Sequence, residues 1–426
     1  ILSDYNYWGN FKKELLKRAK YENTLDRNLS AKVIAIVKGA RRSGKSSMVL
    51  KYLDDKNIGK EALIINLEDP RLPVSLDSGR LMEALDAYLT SIDPEGPKIV
   101  VVDEAQHANG WERFTRYLVE TKGIKCIVTG SSAALLSEEY ATAVTGRHLD
   151  ITMFPFSFEE FVRLKGIGVS GEIEIIKKRF EIKHALDMYV RFGGFPEIAL
   201  SGDERVKIEL LRSYFNDILV KDIMKRYRIK MPDKLEAVAK DFLANIANVV
   251  SLRNVSRSYG VSLQTVERFA GYFSNAYLFF YLKKFSPSKR KQENSPSKVY
   301  VIDNGFYTAM GFKEMEHFDK LMENLVAIKL ISNASLNNSE LYYWQDYAQR
   351  EVDFVIKESD SIKRLIQVTY ASSEKEVKGR EIKNLERAAK ELKCRDLLLI
   401  TWDYEGKIKQ NGKTINAIPL WKWLLQ

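Results

Sequence analysis

The chain predicts an α/β fold whose first part is a mostly parallel, helix-covered sheet. Behind it come a helical segment, a helix-turn-helix unit with a hairpin, and a second α/β domain. Three observations carry this. Short β-branched runs alternate with helical stretches over the first 150 residues. One of those runs leads straight into a glycine-containing loop and a helix. Strand signals then fade after residue 169 and return only near residue 278.

The loop is the centre of the first part. Val33–Val37 is short and apolar enough for a buried strand, and Ser46–Tyr52 reads as a helix. Between them, GARRSGKS fills G-x-x-x-x-G-K-[ST] at residues 39–46, in the strand–loop–helix context that motif requires. Gly39 and Gly44 let the backbone curl until N–H groups face inward around phosphate oxygens. The helix N-terminus adds partial positive charge. In this arrangement Lys45 is expected to reach the β- and γ-phosphates and the Ser46 hydroxyl to ligate Mg²⁺. The expected binding set for ATP or ADP is Gly39, Ala40, Arg41, Arg42, Ser43, Gly44, Lys45, Ser46 and Ser47.

A P-loop needs a partner strand that ends in a carboxylate. Lys98–Gln106 reads KIVVVDEAQ, four apolar residues and then an acidic pair. Asp103 is expected to hold Mg²⁺ with Ser46, and Glu104 to polarise the attacking water.

Composition bounds the rest. The 426 residues suit two to four domains, and a 45% hydrophobic fraction is ample for real cores. Lys and Arg number 67 against 57 Asp and Glu, a net charge of +10. That excess suits a polyanionic partner, or simply a lysine-rich surface. Two distant cysteines, Cys126 and Cys394, form neither a disulfide framework nor a Cys-rich metal site. No apolar run approaches membrane-spanning length, so a soluble cytoplasmic protein is expected.

In chain order, Tyr7–Leu25 has helical spacing of Trp8, Phe11, Leu15 and Leu16 and is expected to be a helix. Ala62–Leu67 is a second strand. Glu68 or Arg71 in the loop after it approaches the ligand crevice, or caps a turn. Arg80–Ile92 and Trp111–Glu120 are amphipathic helices. Ile124–Thr129 is the next strand, and Ser131 just beyond it, favoured over Thr129, is expected to sense the γ-phosphate or attacking water. Arg147 is the candidate cation completing a nucleotide site, in cis or on a neighbour, by stabilising charge on the transferred phosphoryl group. A surface arginine paired with a carboxylate is the alternative.

The ordered segments GARRSGKSS, VVDEAQ with WERF, TGSSAALLSEE, ATAVTGRHL and PFSFEEF resemble a prokaryotic family of P-loop ATPases in the AAA+/STAND group. The resemblance spans nearly the whole chain. It implies an ATPase core over residues 1–165, a helical lid over 166–250, a winged helix over 251–302 and a PD-(D/E)xK nuclease-like domain over 303–426. It also implies that Gly194-Phe195-Pro196 acts as a G-x-P lid element, with Pro196 touching nucleotide. A plain helix break is the other reading.

Ser251–Tyr281 has a glycine turn between two helices, Leu252–Tyr259 and Leu263–Ser274, the cue for a helix-turn-helix. Gln264, Thr265, Glu267 and Arg268 are expected to face outward at the recognition position. Two strands, Leu278–Leu282 and Lys298–Ile302, enclose a loop with Lys289, Arg290 and Lys291, expected to be a mobile basic wing that contacts DNA phosphates. Packing within the protein is the rival role.

In the last domain the resemblance places Glu323, Asp353 and Gln367 at the acidic positions of a nuclease. Gln367 stands where the second acid belongs and Thr369 where the lysine belongs, with Lys375, Lys378 or Arg380 as substitutes. Metal-dependent hydrolysis needs the full set, so a degenerate domain used for binding or packing is expected. The resulting expectation is a Mg²⁺-dependent ATPase acting on DNA, with homo-oligomers possible. A nucleotide-gated signalling switch with a protein partner and an ATP-coupled nuclease are the alternatives.

Overall fold

The computed structural model describes residues 1–9, 15–73, 76–131, 147–169, 171–312, 317–337 and 339–426, the side chains of 335–337 excepted. The chain divides into two compact units, Ile1–Met153 and Phe154–Gln426. The stretch 132–146, which carries much of TGSSAALLSEE and ATAVTGRHL, lies outside the described residues.

The first unit is built on five parallel strands: β1 (Ile34–Gly39), β2 (Ala62–Asn66), β3 (Ile99–Asp103), β4 (Lys125–Gly130) and β5 (His148–Met153). Their order is β2-β3-β4-β1-β5. Alternation along each strand feeds two cores. Ala35 and Val37 pack with Leu25, Met48 and Leu53 of α1 (Ala19–Ser30) and α2 (Lys45–Asp55). Ile34 and Ile36 pack with Leu85 and Trp111 of α3 (Ser78–Ser91) and α4 (Trp111–Tyr117). Covered on both faces, these strands read as continuous apolar runs, as parallel strands do.

The N-terminus departs from its expected helix. Residues 7–9 form a turn, 10–14 lie outside the described residues, and the helix starts at Ala19. The leading segment instead covers the sheet's edge at β2. Asn6 donates to Ile64 O at 2.9 Å and accepts from Ile64 N at 2.7 Å, as a neighbouring strand would. The Trp8 indole donates to Ala62 O at 3.0 Å. Such pairing blocks an exposed strand edge.

The second unit opens with helices and then forms one sheet of nine strands. Its strands are β6 (Val249–Val250), β7 (Phe279–Lys284), β8 (Ser297–Val301), β9 (Glu340–Gln345), β10 (Glu351–Glu358), β11 (Ser361–Thr369), β12 (Leu397–Thr401), β13 (Gly406–Gln410) and β14 (Lys413–Pro419). The order is β13-β14-β12-β11-β10-β9-β7-β8-β6. The β7–β8 hairpin joins β9 through the parallel register Tyr342↔Lys283. The sheet therefore runs unbroken across residue 302, where the sequence suggested a domain boundary.

The helix pair preceding the hairpin is Leu252–Tyr259 and Leu263–Asn275. Gly260 between them has φ 62°, the left-handed conformation that glycine tolerates best. Ser262 caps the second helix by accepting from Thr265 N at 3.2 Å. The hairpin's tip differs from the expected mobile loop: Lys289–Asn294 is a short helix capped by Ser288. Among the described residues no helix is long and apolar enough to cross a membrane.

Candidate functional site

The P-loop residues converge at the carboxyl end of the parallel sheet. β1 ends at Gly39, and Gly44 caps α2 in a left-handed conformation, φ 91°. A Cβ on Gly39 would overlap the Met153 carbonyl of the neighbouring strand, so only glycine fits that turn. Lys45 is buried, its ammonium donating to Gly39 O at 3.2 Å and Ala40 O at 3.1 Å.

The acidic pair meets this loop directly. Ser46 Oγ donates to Asp103 Oδ1 at 2.8 Å, and Thr129 Oγ1 donates to the same oxygen at 2.5 Å. Thr129 also accepts from Glu104 N at 3.0 Å, so one hydroxyl clamps the end of β3 to β4. Glu104 adopts a left-handed backbone, φ 55° and ψ 52°, which is uncommon outside glycine and frequent at functional turns. Its Oε1 lies 3.9 Å from the Lys45 ammonium. Ser131, at the end of β4, is buried with its Oγ 3.4 Å from Gln106 Nε2. Burial pushes the Asp103 carboxyl above its usual range, with the Glu104 charge adding to the rise and the Thr129 hydroxyl opposing it. A divalent cation bound there would reverse that shift.

These residues fit a nucleoside triphosphate with its Mg²⁺. The loop presents a helix N-terminus, an ammonium and a hydroxyl, and the Ser43 hydroxyl is buried with no hydrogen-bond partner. Ser46 and Asp103, already in contact, would hold the cation, whose chemistry is to neutralise charge on the β- and γ-phosphates.

Other candidates lie elsewhere. Arg41 bonds Glu68 Oε1 at 3.1 Å, and Glu68 is held down to about 2, chiefly by the His107 side chain. Arg71 pairs with Asp69 and Asp4 instead. Arg147 immediately precedes β5, its carbonyl accepting from Ile34 N and its guanidinium paired with Glu120. It stands at the edge of the sheet opposite the P-loop, five residues of strand away, or about 16 Å. With Lys32, Arg116 and Glu120 it lines a cavity of about 460 Å³ at that edge.

In the second unit Pro196 is the first residue of the helix Pro196–Leu200. The preceding glycines have a structural task. Gly194 N and Gly305 N donate to the two Asp303 oxygens at 2.7 and 2.9 Å, and a Cβ on Gly193 would overlap that carboxylate. Burial pushes Asp303 up to about 7 despite these donors.

The DNA candidates divide. Gln264 and Arg268 are exposed, as are Lys289, Arg290 and Lys291 on the hairpin's short helix. Thr265 is a correction: it is buried at 7% exposure, and its hydroxyl is 2.8 Å from Ser262 Oγ, inside the helix cap. As the third residue of its helix, Thr265 turns inward with Val266 and Phe269.

The nuclease-like residues do come together, around a cation that sequence reasoning missed. Lys298, 1% exposed on β8, places its ammonium 2.7 Å from Glu323 Oε1, 2.6 Å from Glu351 Oε1 and 3.0 Å from Asp353 Oδ1. The Tyr300 hydroxyl also donates to Glu323, and Val368 N to Asp353. One ammonium does not compensate three carboxylates, so burial and mutual repulsion push Glu323 up to about 8 and Glu351 upward. Gln367 is buried on the adjacent strand with Oε1 unpaired. Lys378 lies 3.9 Å from Glu381. The ammonium beside these carboxylates thus comes from Lys298 on a different strand, a residue outside the expected set. A lone lysine in the apolar run Ser297–Val301 was the available signal.

Comparison with known proteins agrees with the first-unit geometry. A family model described as AAA domain matches residues 31–162. Two domains of unknown function, DUF8612 and DUF4143, match residues 183–316 and 318–423. Over 424 residues the chain is 33% identical to the uncharacterized protein MJ1544 of Methanocaldococcus jannaschii, covering 97% of this chain and 93% of that protein. The chain belongs to the MJ1544 family. An uncharacterized protein of Haemophilus influenzae is 25% identical over 424 residues, covering 97% of this chain and all of the relative. Among solved structures, AMPPCP-bound DnaA from Aquifex aeolicus matches at 13% identity and TM-score 0.26, covering 60% of this chain and 86% of that one. A likeness that low carries no functional conclusion. Residues 31–162 thus form an AAA domain of P-loop type.

Proposed function

We propose that the chain is a Mg²⁺-dependent ATP hydrolase of the AAA+/STAND kind whose nucleotide state is coupled to DNA binding by its second unit. The observation that carries the first half is the convergence of Lys45, Ser46, Asp103 and Glu104 at one end of the sheet. Lys45 binds the β- and γ-phosphates, Ser46 and Asp103 hold the cation, and Glu104 accepts the proton of the attacking water. Arg147, remote from its own P-loop, serves the site of a neighbouring copy.

DNA contact is supported by the exposed Lys289, Arg290 and Lys291 beside a capped helix pair, the composition of a phosphate-binding wing. The region 303–426 serves binding or packing rather than cleavage, because Lys298 occupies the centre of its acidic cluster. The G-x-P segment reports nucleotide state through Pro196, braced by the Asp303 contacts behind it.

The test is steady-state ATP turnover with and without double-stranded DNA, with DNA affinity measured against salt. Stimulation by DNA, and a salt slope that shrinks in the Lys289→Ala/Arg290→Ala/Lys291→Ala variant, is the expected result. Turnover indifferent to DNA, with an unchanged slope, overturns the coupling and favours a protein-binding switch.

A further inference from the structure

We propose that Gln106 positions the water that attacks the γ-phosphate, an assignment that rests on the ATPase reading above. Gln106 lies two residues past Glu104, on the one-turn helix Ala105–His107. Its Nε2 donates to Glu104 Oε2 at 2.5 Å and reaches Ser131 Oγ at 3.4 Å. The carboxylate dictates the amide's orientation. An ionised Glu104 only accepts hydrogen bonds, so the amide must turn its NH₂ toward it.

That leaves the other end of the amide unsatisfied. Gln106 Oε1 is shielded from solvent and has no hydrogen-bond partner. Buried carbonyl oxygens are nearly always paired, with protein or with ordered water. Here the orphaned acceptor belongs to the side chain that already bridges Glu104 and Ser131. A water donating one hydrogen to Gln106 Oε1 and the other to Glu104 satisfies both groups. Glu104 is prepared for this, since Lys45 is near its Oε1 and Gln106 holds its Oε2.

The step balances without a further reactant. The water oxygen supplies the electron pair of a new bond to the γ-phosphorus. The bond from that phosphorus to the β–γ bridging oxygen breaks, and its electron pair leaves with ADP. The water proton passes to the Glu104 carboxylate. Gln106 exchanges no proton; it fixes the water through Oε1 and the carboxylate through Nε2. Orientation of this kind is one of the larger contributions an enzyme makes.

Gln106→Met keeps the length of the side chain and removes both polar ends. It is expected to lower kcat by roughly 100-fold, the scale of loss when a reacting group is no longer held in place. KM, the affinity for a fluorescent ATP analogue and the melting temperature should stay near wild type. Gln106→Glu places a second carboxylate beside Glu104, and like charges raise one of the two pKa values. Its activity should therefore climb with pH between 6 and 9 more steeply than that of the wild type. A kcat within threefold of an active wild type overturns the assignment. So does a kcat loss matched by weaker nucleotide binding or a lower melting temperature, the mark of a bracing role. Wild-type turnover no greater than that of Lys45→Ala sinks the ATPase reading itself, and this assignment with it.

Discussion

Replacing Lys298 by methionine should destabilise the second unit strongly, and in a pH-dependent way. The ammonium is the centre of a buried cluster, between 2.6 and 3.0 Å from three carboxylates on one strand and a helix. Methionine fills similar space but leaves those carboxylates without a cation. Breaking a buried ion pair from one side costs about 3–5 kcal/mol, because the stranded charge is not resolvated. The sign of the pH dependence follows from the carboxylates. Glu323 is already up near 8 and Glu351 is raised, against an ordinary 4.5. Removing the cation raises both further in the folded state and leaves the unfolded chain unchanged. The penalty is therefore full above the folded pKa values and fades as pH falls toward 4.5. Urea unfolding followed by tryptophan fluorescence reports on this unit through Trp344, Trp402, Trp421 and Trp423. With a slope of about 1–3 kcal/mol per molar urea, the midpoint should drop by about 1–5 M at pH 8 and by clearly less at pH 5. Hydrogen exchange should show lost protection across Ser297–Val301. An unchanged midpoint at pH 8, or equal losses at both pH values, refutes the electrostatic account of this cluster.

Three further outcomes are expected. Asp303, pushed up to about 7 by burial, holds a proton in the folded state that the unfolded chain releases near 3.8. Its contribution to stability is thus complete below 3.8 and lost as pH rises through 7; Asp303→Asn should flatten that part of a stability–pH curve, and an unaltered curve would exclude the assignment. Gly39→Ala should abolish nucleotide binding, measured with a fluorescent ATP analogue, because the new methyl overlaps the Met153 carbonyl and the backbone sits at φ 150°. If Arg147 serves a neighbouring copy, mixing inactive Arg147→Ala with inactive Lys45→Ala protein should restore part of the turnover, whereas no recovery at any ratio removes that role.

The parts readable from sequence were those in which neighbours along the chain do the chemistry. The P-loop is one strand, one loop and one helix, so its residues announce one another. The acidic pair at the end of β3 was readable because four apolar residues mark the strand that presents it. The helix pair at 252–275 was readable from a glycine turn and a serine cap. What stayed hidden depends on contacts between distant segments. Lys298 meets Glu323 and Asp353 across 25 and 55 residues, and its place in an apolar run marks it as unusual without naming those partners. Asp303 takes one of its two backbone donors from Gly194, 109 residues earlier. Thr129 looked like a sensor candidate, but its hydroxyl is used to clamp Asp103 and the Glu104 backbone. Whether Arg147 acts in cis or on a neighbour stayed open in the sequence because motif order says nothing about which end of a strand a residue occupies. Gln106 stood in plain view within VVDEAQ, and only its orphaned oxygen gives it a role.

The measurement that bears most directly on the central claim is ATP turnover in Mg²⁺ by the wild type beside Lys45→Ala and Glu104→Gln. Lys45→Ala should neither bind nor hydrolyse ATP, while Glu104→Gln should bind it at wild-type affinity and turn it over at least about 100-fold more slowly. Equal turnover by all three proteins would contradict the assignment of this cluster as a nucleotide-hydrolysing site.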